Sequence, residues 1–254
     1  MTETLSLRAK IEQSPMGAYQ WMIVVMAAIM NLLDGFDVLA LAFTATAIRG
    51  EFGLTAIELG YLLSAGLFGM TAGSLFLAPL ADKIGRRPLL LMAVSLSAIG
   101  MLGSAFISQY QWLGFWRVIT GLGVGGILVG TNVITSEYSS RKWRSFAISV
   151  YAAGFGIGAV LGGMFAVMLQ GEYGWRAVFL AGAILTGLLL VILFIWLPES
   201  IDFLTSKQPK NAEVRLNLIA KKIGLAGDWK LPKKVEKVKS KLPISQLFSE
   251  KYLH

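Results

Sequence analysis

Cysteine is absent from this 254-residue chain, and its one histidine, His254, is the last residue. The lack of cysteine excludes a disulfide framework, a thiol nucleophile and a thiolate metal site. Histidine-dependent catalysis and histidine-rich zinc sites are excluded as well. The sequence also offers no other nucleophile–base pair or metal-ligand cluster. We therefore expect no enzymatic activity, no catalytic residue, no cofactor and no bound metal.

Charge is also scarce, because 15% of the residues are charged and 55% are hydrophobic, whereas a soluble domain carries about 25% charged residues. The apolar residues form six blocks, each close to the roughly 20 residues that cross a bilayer as a helix. A cleaved signal peptide is a competing interpretation of the first block, but that block is too long and contains two aspartates. The sequence predicts an all-α, multi-pass protein of the cell inner membrane. The predicted spans are Tyr19–Ile48, Leu59–Ala81, Pro88–Ile107, Trp112–Tyr138, Ser145–Gln170 and Arg176–Leu197.

The basic residues predict the orientation of the bundle, because short cytoplasmic loops are enriched in lysine and arginine. Basic residues precede the first span and fill alternate loops, which predicts that both termini are cytoplasmic. The chain then divides into a cytoplasmic N-terminus (1–18), a six-helix transmembrane domain (19–197) and a basic cytoplasmic loop (198–254). The basic residues in question are Arg8, Lys10, Lys83, Arg86, Arg87, Arg141, Lys142 and Arg144.

The segment 198–254 holds about half of the 23 basic residues. Basic residues beside a membrane are typical of contacts with anionic lipid headgroups. Nucleic acid is not an expected partner, because no aromatic residues alternate with the lysines. A short helix over Asn211–Ile223, with Val214, Leu218 and Ile219 on one face, is predicted to lie on the inner leaflet. The densest lysine run consists of Lys230, Lys233, Lys234, Lys237, Lys239 and Lys241.

Three ionisable residues fall in the middle of predicted spans, where charge is costly and indicates a functional site. Asp34 and Asp37 share one face of the first span, with Asn31 one turn before them. At 1.5 Å per residue, Arg117 in the fourth span reaches the same depth as the two aspartates. We expect a polar cavity that binds an anion and a proton. The alternative is an inert buried ion pair that fixes helix packing.

Small residues recur every three or four positions in the second and fifth spans, a pattern that permits close helix packing. The charged spans are the first and the fourth. This correspondence between the two halves favours a 3+3 inverted repeat, as in transporter bundles. The glycines expected at helix contacts are Gly66, Gly69 and Gly73 in the second span, and Gly154, Gly158 and Gly162 in the fifth.

Several short motifs resemble those of the major facilitator superfamily. The turn Ala81–Pro88 has an acid, a base, a glycine and two further bases, and Arg117–Gly126 is similar to a second superfamily motif. Asp34-Gly35-Phe36-Asp37, Glu137 and Pro198-Glu199-Ser200 narrow the resemblance to the aromatic acid:proton symporter family. The resemblance implies the N-terminal half of a major facilitator fold, six of twelve spans, with Leu242–His254 as the approach to a seventh.

The resemblance also assigns roles to the turn between the second and third spans, as a gating loop made of Asp82, Lys83, Gly85, Arg86 and Arg87. It implies that Asp82 contacts the second half of the transporter and that the basic residues reach an acid such as Glu137. Two positions depart from the superfamily pattern. Ala78 replaces a glycine, and the run Gly158–Gly163 lacks the proline of the antiporter signature, which disfavours drug efflux.

Taken together, the residues and the resemblance predict a proton-coupled importer of an aromatic or related organic acid, such as a benzoate, a hydroxybenzoate or muconate. Arg117 would bind the substrate carboxylate through its planar guanidinium. Asp34 or Asp37 would carry the coupling proton. Three alternatives stay open: a transport-incompetent half that needs a second six-helix half, a homodimer, and an efflux member of the same superfamily.

Overall fold

The computed structural model describes residues 6–225 and 227–231, and the regular structure in this part of the chain is helical. The lysines from Lys233 to Lys241 and the segment Leu242–His254, for which we made predictions, lie outside the described residues. The helices are α1 (Leu7–Gln13), α2 (Ala18–Phe52), α3 (Ala56–Ile84), α4 (Arg86–Ala105), α5 (Tyr110–Tyr138), α6 (Arg144–Tyr173), α7 (Trp175–Trp196), α8 (Ile201–Lys207) and α9 (Ala212–Ile223).

Helices α2 to α7 are the six predicted spans, since each is long and apolar enough to cross a membrane. Several extend beyond their predicted ends. Helix α2 continues past Ile48 to Phe52, where Gly53 ends it with a left-handed φ of 63°. Helix α3 begins at a capping box, in which Thr55 and Glu58 bind each other's backbone N–H groups. The hydropathy pattern missed these turns because charged residues, Arg49, Glu51 and Glu58, interrupt the apolar blocks while the backbone remains helical.

Two short helices, α1 and α8, were not predicted and lie at the end of the bundle where α2 begins. Arg8 of α1 forms an ion pair with Asp202 of α8. Arg144 at the start of α6 donates to the Glu12 carboxylate over 2.6 Å. This hydrogen bond lowers the pKa of Glu12 below its ordinary value. Seven-residue helices of mixed polarity carry too little periodicity to be recognised in sequence, and here ion pairs hold them to the bundle.

Helix α9 was predicted correctly in its extent but not in all of its orientation. Ile219 and Leu216 pack towards the bundle, whereas Val214 and Leu218 are more than half exposed. We expected Ile219 on the same face as Val214 and Leu218, and that expectation is wrong. Adjacent residues on a helix point about 100° apart, so Ile219 lies on a second apolar face that meets the protein.

Two helix pairs hold the bundle together most extensively, α2 with α6 and α3 with α5. A Cβ atom added at Gly69 or Gly73 would overlap the backbone of Val118 or Leu122 on α5. Likewise, a Cβ atom at Gly154 or Gly158 would overlap the α2 backbone, and one at Gly162 the ring of Phe36. Gly66 is looser, since its added Cβ would lie 3.5 Å from the guanidinium of Arg117. The two pairs are equivalent under the 3+3 repeat, which relates α2 to α5 and α3 to α6.

Candidate functional site

Arg117 and Asp37 meet inside the bundle, at the level that helix geometry predicted. The guanidinium is 3% exposed and Asp37 is fully buried. Nη2 of Arg117 donates a 2.7 Å hydrogen bond to the main-chain oxygen of Asp37, and Nη1 lies 3.6 Å from Sδ of Met101. Nε of Arg117 is buried without a partner among the described residues. The contact between α2 and α5 is therefore made through the Asp37 backbone, which leaves the guanidinium with unused donor capacity.

The Asp37 carboxylate contacts α4, and among the described residues it forms no ion pair with Arg117. Its Oδ2 atom accepts a 2.7 Å hydrogen bond from the hydroxyl of Ser97, which is itself fully buried. Its Oδ1 atom has no hydrogen-bond partner in the part of the chain that the structure describes. Sequence analysis missed Ser97, because a single serine in an apolar span gives no local signal of the partner it meets.

Asp34 and Asn31 also lie on α2, about one and two turns before Asp37. Asp34 is 1% exposed, and its Oδ2 atom lacks a partner among the described residues. The side-chain nitrogen of Asn31 donates to the main-chain oxygens of Tyr151, at 2.9 Å, and Ala152, at 3.4 Å. Asn31 thus joins α2 to α6 through its amide, while Asp34 keeps a buried oxygen without a hydrogen-bond partner in the described part of the chain.

A cavity of about 140 Å³ opens between α2, α3 and α5 beside Arg117. Arg117 and Thr120 contribute the polar side chains, and neither aspartate lines the cavity. This differs from the expected polar cavity shared by all three charges, because Asp37 turns its carboxylate to Ser97. A cation within an apolar wall suits an organic anion with an apolar body. The other lining residues are Val38, Leu39, Leu41, Ala42, Leu63, Gly66, Leu67, Met70, Gly121 and Val124.

The turn between α3 and α4 is held by Glu199, which follows α7. Oε1 of Glu199 accepts backbone N–H bonds from Arg86 at 2.8 Å, Arg87 at 3.1 Å and Ser200 at 2.9 Å. Gly85 has a φ of 105°, and an added Cβ would lie 2.6 Å from the Glu199 carboxylate. Glycine is therefore required here both by the backbone and by the acid above it. Lys83 is exposed.

The side chains of the turn do not bind Glu137 as expected. Arg86 forms a 2.7 Å ion pair with Asp82, one turn before it, and Arg87 donates to the main-chain oxygen of Phe194. Glu137 instead accepts from the Ser200 hydroxyl and from the Ile201 N–H, at 2.8 to 2.9 Å. It therefore caps α8, where free N–H groups favour an acid. The acid at the turn is Glu199, which lies more than a hundred residues away in sequence. The motif Pro198-Glu199-Ser200 was noted in the sequence, but nothing in it indicated this partner.

Asp82, Arg86 and Glu137 nevertheless line one cavity of about 450 Å³, together with Asp202 and Lys207. The cavity is formed by the ends of α3 and α5 and by α8. The Asp82 side chain of the Asp82–Arg86 pair is 66% exposed, and salt bridges with exposed partners contribute little net stability. The cavity therefore holds charges of both signs at the end of the bundle where the basic loops lie.

Comparison with known proteins agrees with this architecture. The family profile described as Major Facilitator Superfamily matches residues 27–253. A gallate transporter of Pseudomonas putida is 34% identical over 95% of this chain and 54% of its own length. The 4-hydroxybenzoate transporter PcaK of the same organism is 32% identical over 98% of this chain and 56% of its own length. The chain thus spans about half the length of these curated relatives.

A solved structure of the proton:xylose symporter XylE bound to 6-bromo-6-deoxy-D-glucose shares the fold, with a TM-score of 0.72. The identity is 22%, and the match covers 83% of this chain and 50% of that one. Both curated relatives are named as transporters, and six helices of this chain are long and apolar enough to cross a membrane. The resemblance found in the sequence is confirmed, and the chain belongs to the Major Facilitator Superfamily.

Proposed function

We propose that this chain forms the substrate- and proton-binding half of a proton-coupled importer of aromatic or related organic acids. The observation that carries the proposal is the buried guanidinium of Arg117 in the wall of the apolar cavity between α2, α3 and α5. The cation matches a carboxylate, and the aliphatic wall matches a ring. The gallate and 4-hydroxybenzoate transporters among its relatives carry, by their names, acids of this kind.

Arg117 binds the substrate carboxylate in this proposal. Its Nε atom has no partner among the described residues, and its Nη1 atom faces the weak acceptor Sδ of Met101. A carboxylate that replaces these weak contacts gains a charge-assisted, bidentate hydrogen bond. The hydrogen bond to the Asp37 backbone keeps the guanidinium in place while the substrate comes and goes.

Asp34 or Asp37 carries the coupling proton in this proposal. Each has a buried carboxylate oxygen without a donor among the described residues. An ionised carboxylate with unpaired oxygens is costly in an apolar interior, whereas the protonated form is not. Substrate binding at Arg117 and proton binding at Asp37 are coupled through the hydrogen bond between the guanidinium and the main-chain oxygen of Asp37.

The turn of Asp82, Lys83, Gly85, Arg86 and Arg87 serves as a gate. Glu199 fixes the backbone of the turn, whereas the side chain of Asp82, which pairs with Arg86, is 66% exposed. Asp82 is free to change partners when a second six-helix half closes against this end of the bundle. Glu137 contributes indirectly by capping α8 beside the same cavity.

Uptake of labelled 4-hydroxybenzoate and gallate tests the proposal, in proteoliposomes that hold this chain with a second six-helix half. An imposed inward proton gradient should drive accumulation. Arg117→Lys keeps the charge but loses the planar fork, so uptake should fall about 10- to 100-fold, the value of one or two charge-assisted hydrogen bonds. Glu172→Gln, at an exposed position on α6, is the control and should transport normally.

The proton role is tested separately. Asp34→Asn and Asp37→Asn should lose accumulation driven by the proton gradient, while exchange of labelled for unlabelled substrate persists in at least one of them. Proton-driven uptake at the normal rate in both variants would contradict the proton role. Normal uptake by Arg117→Lys would contradict the carboxylate role.

A further inference from the structure

A separate cavity of about 220 Å³ lies where α7 ends, beside the start of α2 and the side of α9. Three cationic side chains line it, Arg87, Arg215 and Lys222, together with the aromatic rings of Tyr19 and Trp196. It lies outside the Arg117 cavity and shares no lining residue with it. Nothing in the transport mechanism uses Arg215 or Lys222.

The positive charge of this cavity is poorly compensated. Glu199 is the acid that lines it, and its Oε1 atom already accepts three backbone N–H groups. Within residues 6–225 and 227–231, neither Arg215 nor Lys222 takes part in an ion pair. Lys222 instead lies 5.3 Å from the ring centre of Tyr19, and Nε of Arg87 is buried without a partner. A group of cations in this state attracts an anion.

The surroundings of the cavity place it at the edge of the membrane. Trp196, the last residue of the spanning helix α7, is 55% exposed, and tryptophan favours the membrane interface. Leu218 on α9, which lines the cavity, is equally exposed, and so is Val214 one turn before it. An apolar border next to a cationic pocket fits a ligand that has both an anionic group and hydrocarbon.

We propose that this pocket binds the phosphate of an anionic phospholipid, such as phosphatidylglycerol. Arg87 and Arg215 offer planar guanidinium groups that bind phosphate oxygens in pairs, and Lys222 adds a point charge. The acyl chains follow the exposed surface of α7, while Val214 and Leu218 of α9 enter the interface. This lipid would hold α9, and with it the segment after the sixth span, against the bundle.

Native mass spectrometry of the purified chain in detergent tests the site, by titration with short-chain phosphatidylglycerol and counting of bound lipid. Arg215→Gln/Lys222→Gln should bind about thirtyfold more weakly, because each basic residue near an anionic headgroup contributes about 1 kcal/mol. Lys210→Gln/Lys221→Gln removes the same charge from exposed positions outside the pocket and should bind nearly as the wild type does. Circular dichroism and gel filtration verify folding, and Arg215→Gln alone replaces any double variant that misfolds.

Three results would overturn the proposal. Equal weakening in the two double variants would indicate a diffuse surface charge rather than a pocket. Equal binding of phosphatidylcholine would remove the requirement for an anionic lipid. Displacement of the lipid by inorganic phosphate at equal concentration would identify a free-phosphate site. Transport assays stand apart from all three, so failure here leaves the transport proposal intact.

Discussion

At the scale of single residues, Ser97 is the positioning group of the candidate proton site. Its hydroxyl donates to Oδ2 of Asp37 over 2.7 Å, while Oδ1 has no hydrogen-bond partner among the described residues. Within the same part of the chain, no ion pair joins Asp37 to Arg117. The serine thus holds one oxygen of the acid and leaves the guanidinium available to an external carboxylate.

Ser97→Ala should change the proton dependence of transport. The ionised form of Asp37 loses a donor that stabilises its charge, so the midpoint of the pH profile of uptake should move to higher pH. Uptake into proteoliposomes at graded external pH measures that midpoint.

Ser104→Ala provides the matched control, since Ser104 is equally buried on the same helix but donates to the main-chain oxygen of Gly100. Its loss should cost about 1 kcal/mol of stability or less and leave the pH profile in place. An equal shift of the midpoint of the pH profile in both variants would mean that Ser97 acts through helix packing alone.

At the scale of helices, glycines decide how closely the two main pairs pack. The carbonyl of Leu32 on α2 lies where a side chain at Gly158 would be, and the same relation joins Gly69 to Val118. Such close approach of the two backbones allows extensive dispersion contacts. These contacts drive helix association in a membrane, because lipid tails are as apolar as the helix surfaces and no hydrophobic driving force remains.

Gly158→Ala should separate α2 from α6 and destabilise the bundle. Overpacking of a close contact costs about 1–3 kcal/mol, and the thermal unfolding midpoint in detergent reports it. Gly156→Ala, on the exposed face of the same helix with nothing near its added Cβ, should be neutral or slightly stabilising, because alanine favours helix. Equal thermal unfolding midpoints for the two variants would show that the contact between α2 and α6 tolerates a wider spacing.

The helices and the depth of the charges were predictable from sequence because both are local properties. Hydropathy over 20 residues located α2 to α7, and a rise of 1.5 Å per residue placed Arg117 level with Asp37. The partners of Glu199 and Ser97 were not predictable, because they come from helices 60 to more than 100 residues away. Ile219 was misplaced because α9 has apolar residues on two faces, and sequence does not say which face meets protein.

At the scale of the whole molecule, the helices differ greatly in how much the chain itself covers them. In its most apolar stretch, α5 has 61% of its residues buried within the chain, whereas α3 has 17%. The Arg117 cavity lies against this exposed helix, between α2, α3 and α5. In the proposed importer, a second six-helix half would cover the exposed face of α3 beside this cavity.

The chain alone should therefore fail to transport, although it should fold and bind its substrate weakly. Liposomes with the purified chain should show no proton-driven uptake of 4-hydroxybenzoate, and addition of a second six-helix half during reconstitution should restore it. Arg117→Gln in the same assembly should stay inactive, which separates true transport from leakage. The isolated chain should still bind the acid weakly. In that case, the backbone amides near Arg117 should exchange hydrogen more slowly when the acid is present. Uptake by a cross-linked dimer of this chain would contradict the requirement for a different half and favour a homodimeric carrier instead.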